Sequence, residues 1–182
     1  MSKVFVGGSR RIIRLHPEVA LRLDQMLASN ASILVGDANG ADKSVQHFFK
    51  TKEYRDVEVF CSGDECRNNL GDWPLRHVAV DSRKRDFDFY AAKDQAMSRE
   101  ADSGLMIWDG KSAGTLMNAF RLVRQGKPVS IFEAQNNRYQ ELHNGLDWKH
   151  FFSSCSDEVK RRIEKLSASD PETSGPVQAS LL

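Results

Sequence analysis

The sequence predicts an α/β domain of Rossmann-like architecture: a doubly wound, mainly parallel sheet with helices on both faces. Three observations carry this. Short apolar, β-branched runs alternate with segments of helical periodicity, turn residues fall between them, and three of the strand-to-helix junctions are rich in glycine.

Lys3 to Gly8 (KVFVGG) is a strand ending in glycines, and His16 to Asn30 follows as a helix with Val19, Leu23, Met26 and Leu27 at helical spacing. The unit repeats as a strand at Ser32 to Gly36, an amphipathic helix at Gly40 to Tyr54 carrying Val45, Phe48 and Phe49, and a strand at Val57 to Cys61. Ser62 to Trp73 is polar and reads as a long loop, of a length that is often functional. A short strand at His77 to Val80, a helix at Phe87 to Ala101, a strand at Gly104 to Trp108, a helix at Gly114 to Arg124 and a strand at Pro128 to Phe132 complete the alternation. Beyond Glu133 the pattern weakens to a charged helix at Asp157 to Leu166. The organisation expected is one Rossmann-like domain over residues 1–135, a helical extension over 136–166 packed on it, and a flexible tail over 167–182 that adds little to stability.

At 182 residues the chain can bury a continuous core without disulfides or a structural metal. Lys+Arg 26 against Asp+Glu 25 leaves no basic excess and argues against nucleic acid as a partner. A strand begins close to Met1, and no apolar run approaches the roughly 20 residues of a membrane span, so a cytoplasmic protein with no membrane partner is expected. Cys61, Cys66 and Cys155 form an odd set suited to a reducing compartment. The spacing of Cys61 and Cys66 is not C-x-x-C, so they are expected to be unrelated thiols, with no metal site.

The three glycine-rich junctions all lie at the carboxyl ends of strands, where open α/β sheets hold ligands. The first is Gly7-Gly8-Ser9-Arg10-Arg11, where glycines admit a ligand to the backbone and Ser9 and the arginines can donate to phosphate. The second, Gly36-Asp37-Ala38-Asn39-Gly40-Ala41-Asp42, opens a helix whose N–H groups can face an anion. The third is Asp109-Gly110-Lys111-Ser112-Ala113-Gly114-Thr115. Each alone is read more simply as a tight turn, with Asp42 or Ser112 as a helix cap. Together they read as one pocket. Phe87, Phe89, Tyr90 and Trp108 read as core or pocket wall, with stacking on a base left open. Asp42 precedes Lys43-Ser44 where a P-loop needs glycine, and the first turn lacks G-x-G-x-x-G, which excludes an ordinary ATPase or nicotinamide dehydrogenase.

VFVGGSR (Val4 to Arg10), LVGDANGADKS (Leu34 to Ser44), KDQAM (Lys93 to Met97) and the stretch Ala101 to Val129 resemble the ordered motifs of the SLOG superfamily. That group includes DprA-like, LOG-like and YspA-like proteins and is related to nucleoside 2-deoxyribosyltransferases. The resemblance spans about residues 3–133. It implies a Rossmann-like sheet that binds nucleotides or their derivatives, some members cleaving N-glycosidic bonds and others sensing a ligand. The phosphoribohydrolases of the group carry an arginine before the lysine of the fourth helix and a glutamate three residues after the threonine; here those positions are Ala92 and Asn118. Without that carboxylate an oxocarbenium-like transition state loses its nearby anion.

The leading expectation is therefore a binding or sensing protein for a nucleotide-derived small molecule, with no further cofactor and with homo-oligomerisation left open. The alternative is an N-glycosidic hydrolase or transferase using other acids, for which Asp37, Asp86 and Asp109 are candidates beside their plainer readings as turn or surface carboxylates. DprA-like DNA binding is the weaker third reading. Gly8, Ser9, Gly40, Gly114 and Thr115 are expected around one cleft, with Arg10 at its rim and Asp37 and Asp109 towards the sugar.

Overall fold

Alternate positions of the strands separate into two apolar layers, one on each face of the sheet. Val4, Val6, Ile33, Val35, Val57 and Val59 pack with Val19, Leu23, Val45 and Phe49. Phe5, Leu34, Phe60 and Met106 pack with Met97, Leu116, Phe120 and Ile163. These strands are covered on both sides, which is why they read as near-continuous apolar runs.

The computed structural model describes residues 1–80 and 86–174. Its elements in order are β1 (Lys3–Gly8), α1 (Pro17–Ala28), β2 (Ser32–Gly36), α2 (Ala41–Thr51), β3 (Val57–Ser62), β4 (Leu75–Val78), α3 (Phe87–Glu100), β5 (Ser103–Trp108), α4 (Ala113–Arg124), β6 (Val129–Glu133), β7 (Arg138–Leu142), α5 (Gly145–Ser153) and α6 (Asp157–Ser169). Among the described residues the strands form one seven-stranded sheet in the order β4-β3-β2-β1-β5-β6-β7. Every neighbouring pair is parallel except β6 with β7. Helices α1 and α2 cover one face and α3 to α6 the other. The doubly wound α/β fold expected from the sequence is the fold observed.

The chain reverses direction across the sheet between β1 and β5, which are hydrogen-bonded neighbours. The helix after β1 goes to one face and the helix after β5 to the other. The loops diverge there and leave a crevice at the carboxyl edge, the place where such sheets bind ligands.

Several elements differ from expectation. β4 lies at Leu75–Val78, two residues before the predicted strand, and β7 and α5 were not predicted at all. Helix α5 is held by Trp148, which stacks on Phe120 of α4 at 4.8 Å and on Phe152 at 5.5 Å. Cys61 and Cys66 are not unrelated thiols. They form a disulfide, because the chain leaving β3 turns back and brings their Cα atoms to 5.3 Å, within bridging reach. That pairing also removes the odd-cysteine argument for a reducing compartment. Cys155 is free and buried.

The expectation of a loose tail from Ser167 onward does not hold for residues 167–174. Helix α6 runs to Ser169, Ser167 and Thr173 are fully buried, and Asp170 forms a buried ion pair with Arg121 of α4. A count of large apolar residues misses an anchor made of a carboxylate. Leu181 and Leu182 lie outside the described residues, as does the Arg83-Lys84-Arg85 run. No helix among the described residues is long and apolar enough to cross a membrane.

Candidate ligand-binding cleft

A cleft of about 550 Å³ opens at the β1/β5 crossover edge. Gly7 and Gly8 line it from β1, Asp109, Ser112, Gly114 and Thr115 from the β5–α4 junction, Asp42 from α2, and Tyr90, Lys93 and Asp94 from α3. Arg10, Arg11, Lys111 and Arg162 line it as cations, and none of them has an ion-pair partner among the described residues.

The first turn of α4 borders the cleft. Ser112 is its N-cap and accepts from the Thr115 N–H, so the backbone dipoles at the start of the helix border the cleft. The Thr115 hydroxyl bonds the hydroxyls of Ser9 at 3.1 Å and Ser112 at 3.0 Å, and Ser9 Oγ accepts from the Asp109 N–H at 3.1 Å. Ser9 thus stands behind the cleft and ties the first glycine loop to the third. Gly114 is open on its outer side: a Cβ there would meet only Phe87, at 3.9 Å.

The cleft floor is a buried charge cluster. Lys93 Nζ lies 2.8 Å from Asp94 Oδ1 and 3.7 Å from Asp42 Oδ2. Asn118 Nδ2 donates to Asp94 Oδ2 at 3.2 Å, and Arg121 donates to Asn118 Oδ1 at 2.5 Å. Arg121 then pairs with Asp170, so polar contacts run from the cleft to the segment after α6. Burial pushes the Asp42 carboxyl up to about 6, against the pull of Lys93. Burial alone would lower the Lys93 pKa, but Asp94 and Asp42 outweigh it and hold the ammonium above its ordinary value.

Of the residues singled out in the sequence, Gly7, Gly8, Arg10, Asp42, Asp109, Ser112, Gly114 and Thr115 line the cleft. Asp109 Oδ1 accepts from the Lys111 and Ser112 N–H groups, the turn role weighed for it. Gly36 lies under the Asp42–Lys93 pair, where a side chain would strike both. Gly40 has φ +85° and packs against the backbone of Arg10, so it shapes the second loop from outside the cleft. It is the N-cap of α2 without a side-chain cap, and Asp42 instead accepts from Ala38 N–H at 3.2 Å. Gly110 packs beside Gln135.

Asp37 is not among the residues that line the cleft. Its carboxylate accepts three hydrogen bonds from Arg67, from the main-chain N–H at 3.0 Å, Nε at 3.0 Å and Nη2 at 2.6 Å. Burial alone would raise its pKa, but the Arg67 bonds hold it below the ordinary carboxylate range. Asn39 pairs with Asn68 at 3.1 Å, on the same side. Asp86 lines the cleft and also caps α3 by accepting from Phe89 N–H at 3.1 Å.

Sequence reasoning overlooked Asp94, Arg162 and the part played by Arg67. Lys93 and Asp94 sit in a polar run of the sequence, and Lys93 is buried where α3 packs over β2 and the start of α2, beside Gly36 and Asp42. Asp37, Cys61 and Cys66 bring three ligand-type atoms within 4.8 Å of one another. The cysteines are joined and Arg67 occupies the carboxylate, so this cluster does not suit a cation. A second groove between Ile13, Leu15, Phe48 and Leu70 is apolar at its floor and bordered by Arg14, Lys43 and His47.

No family model matches the chain, and neither does any curated protein. Among solved structures the fold is similar to that of DNA processing protein A from Helicobacter pylori, described for its single-stranded DNA binding mode. The TM-score is 0.56 at 17% identity, over 91% of this chain and 80% of that one. The likeness is one of fold. It overturns the expectation that set nucleic acid aside, since a protein of this fold binds single-stranded DNA. Net charge does not report local charge: Arg10 and Arg11 line the cleft and Arg14 and Lys43 the second groove, although the whole chain carries only +1.

Proposed function

We propose that the cleft binds the phosphate-bearing part of a nucleotide-derived molecule. The observation that carries this reading is the meeting, in one cleft, of the α4 N-terminus with Arg10, Arg11 and Lys111, cations that lack ion-pair partners among the described residues. Phosphate suits such a helix start, and the arginines add the charge that backbone donors lack. A volume of about 550 Å³ is in the range of small-molecule sites and holds one nucleotide. Tyr90 offers a ring for a base and Asp94 an acceptor for ribose hydroxyls. The SLOG resemblance of the glycine-rich segments supports the same ligand class.

A second reading, single-stranded DNA, is favoured by one further observation. The cations continue past the cleft mouth to Arg14 and Lys43, beside an apolar groove containing Phe48. The structural similarity to the DNA processing protein supports it.

Calorimetric titration with adenosine 5′-monophosphate and with a short oligothymidylate, each at low and physiological salt, tests both. Saturable binding of the mononucleotide, lost in Arg10→Ala/Arg11→Ala, is the expected result. Binding of the oligonucleotide alone, with a steep salt dependence, selects the second reading. Heat from neither overturns both. Released base in the same samples would show that the cleft also cuts the N-glycosidic bond.

A further inference from the structure

The segment between the two bridged cysteines packs directly on the helix that forms one wall of the cleft. Ser62 Oγ accepts from the Lys93 N–H at 3.3 Å, and Gly63 lies against the ring of Phe89. One residue past the bridge, Arg67 grips Asp37 and lies over the Tyr90 ring at 4.6 Å. Arg10 lies over the same ring at 5.2 Å, and Tyr90 lines the cleft. Asn68 adds a bond of 2.7 Å to the Asp37 carbonyl. The Cys61–Cys66 bond is the covalent tie that returns this segment to β3, beside the hydrogen bonds that join Arg67 and Asn68 to Asp37.

We propose that this disulfide is a redox-sensitive latch on the α3 wall of the cleft. Cys61 is fully buried while Cys66 is half-buried, so an incoming thiolate attacks the Cys66 sulfur and Cys61 leaves. The second thiol of a dithiol reductant then resolves the mixed disulfide. The S–S bond is broken, Cys61 and Cys66 each end as a thiol, and the reductant ends as its own disulfide. Cys61 stays in the core as part of β3, but Cys66 and Arg67 are no longer tied to it. Arg67 then holds Asp37 by hydrogen bonds alone, and it spends less time over Tyr90. Arg67 is in this sense a positioning residue for the wall. The consequence for a ligand rests on the nucleotide reading above; the latch itself does not.

The test uses the full chain, purified without reductant and then divided, one part treated with dithiothreitol. Alkylation after denaturation should count one thiol, Cys155, in the untreated part and three in the treated part. Hydrogen exchange should accelerate about tenfold on reduction at the Arg67 amide, which the Asp37 carboxylate accepts from, and to a lesser degree in the first turns of α3. Adenosine 5′-monophosphate should bind several-fold more weakly to the reduced protein. Cys66→Ser should match the reduced protein whether or not dithiothreitol is present. Three thiols in the untreated protein, or identical exchange in the two states, overturns the latch. Redox-dependent exchange with no nucleotide binding in either state upholds the latch and removes the nucleotide reading.

Discussion

Asn118 Nδ2 of α4 donates to the Asp94 carboxylate of α3 at 3.2 Å. An acid of α3 therefore stands beside Asn118 of α4, where both line the cleft. Lys93 holds the other oxygen of the same carboxylate at 2.8 Å, so Asp94 is oriented from two sides at the edge of the cleft.

Replacing Asp94 with asparagine keeps the shape and removes the charged acceptor. Hydrogen bonds to charged groups contribute roughly 1.5–3 kcal/mol, so affinity for adenosine 5′-monophosphate should fall by about tenfold or more. Its 2′,3′-dideoxy analogue, which lacks those hydroxyls, should lose much less. An equal loss for both ligands in calorimetry would mean that Asp94 acts through Lys93 and not on the sugar.

Asp170 anchors the end of the described chain. Arg121 is almost fully buried, and Asp170→Ala leaves its guanidinium without its carboxylate. Breaking a buried pair from one side costs about 3–5 kcal/mol. Chemical denaturation of Asp170→Ala, and of a chain ending at Leu166, should show losses of that size. A change below 1 kcal/mol in both, roughly what an exposed pair contributes, would place Asp170 in solvent.

The Asp42 carboxyl titrates near 6 when folded against 3.8 as its ordinary value. The folded state thus binds this proton more tightly than the unfolded chain does. Its stabilising contribution is complete below pH 3.8, declines as the pH rises towards 6, and is absent above. In Asp42→Asn this decline should vanish, flattening the stability profile between pH 4 and 6.5 by about 2–3 kcal/mol relative to the parent. Asp37 and Glu133, both depressed, contribute the opposite slope in both proteins and cancel in the difference. Parallel profiles would show that Asp42 is hydrated in the folded state.

The sheet was legible because its strands are doubly buried and its helices carry one apolar face, as Val45 and Phe49 do in α2. β7 was not. In Arg138–Leu142 only Leu142 is buried, so an edge strand with polar outward residues leaves no apolar run to read. α5 is nine residues long, too short for a periodicity to stand out, and its Trp148, Phe151 and Phe152 gain meaning only against α4. The glycine junctions pointed to the carboxyl edge of the sheet, where the cleft opens. They did not separate residues facing the cleft, such as Gly114, from those supporting it, such as Ser9, or turned away from it, such as Asp37. For Asp37 the distinction depends on Arg67, thirty residues further along the chain, and no local pattern reports it. The disulfide was missed because a five-residue separation carries no motif; the turn after β3 creates the proximity.

The proposed binding of a phosphate at the first turn of α4 is tested by Gly114→Val. A Cβ at this position, which lines the cleft, meets only Phe87 outside its own helix and requires no unusual backbone angle. Calorimetric titration of the parent and the variant with adenosine 5′-monophosphate, alongside their melting temperatures, is the measurement. The parent should bind saturably, Gly114→Val should lose at least about tenfold from steric exclusion of the ligand, and the two melting temperatures should lie within a few degrees of each other. Equal binding by the two proteins would contradict it, and so would unfolding of the variant with no separable loss of binding.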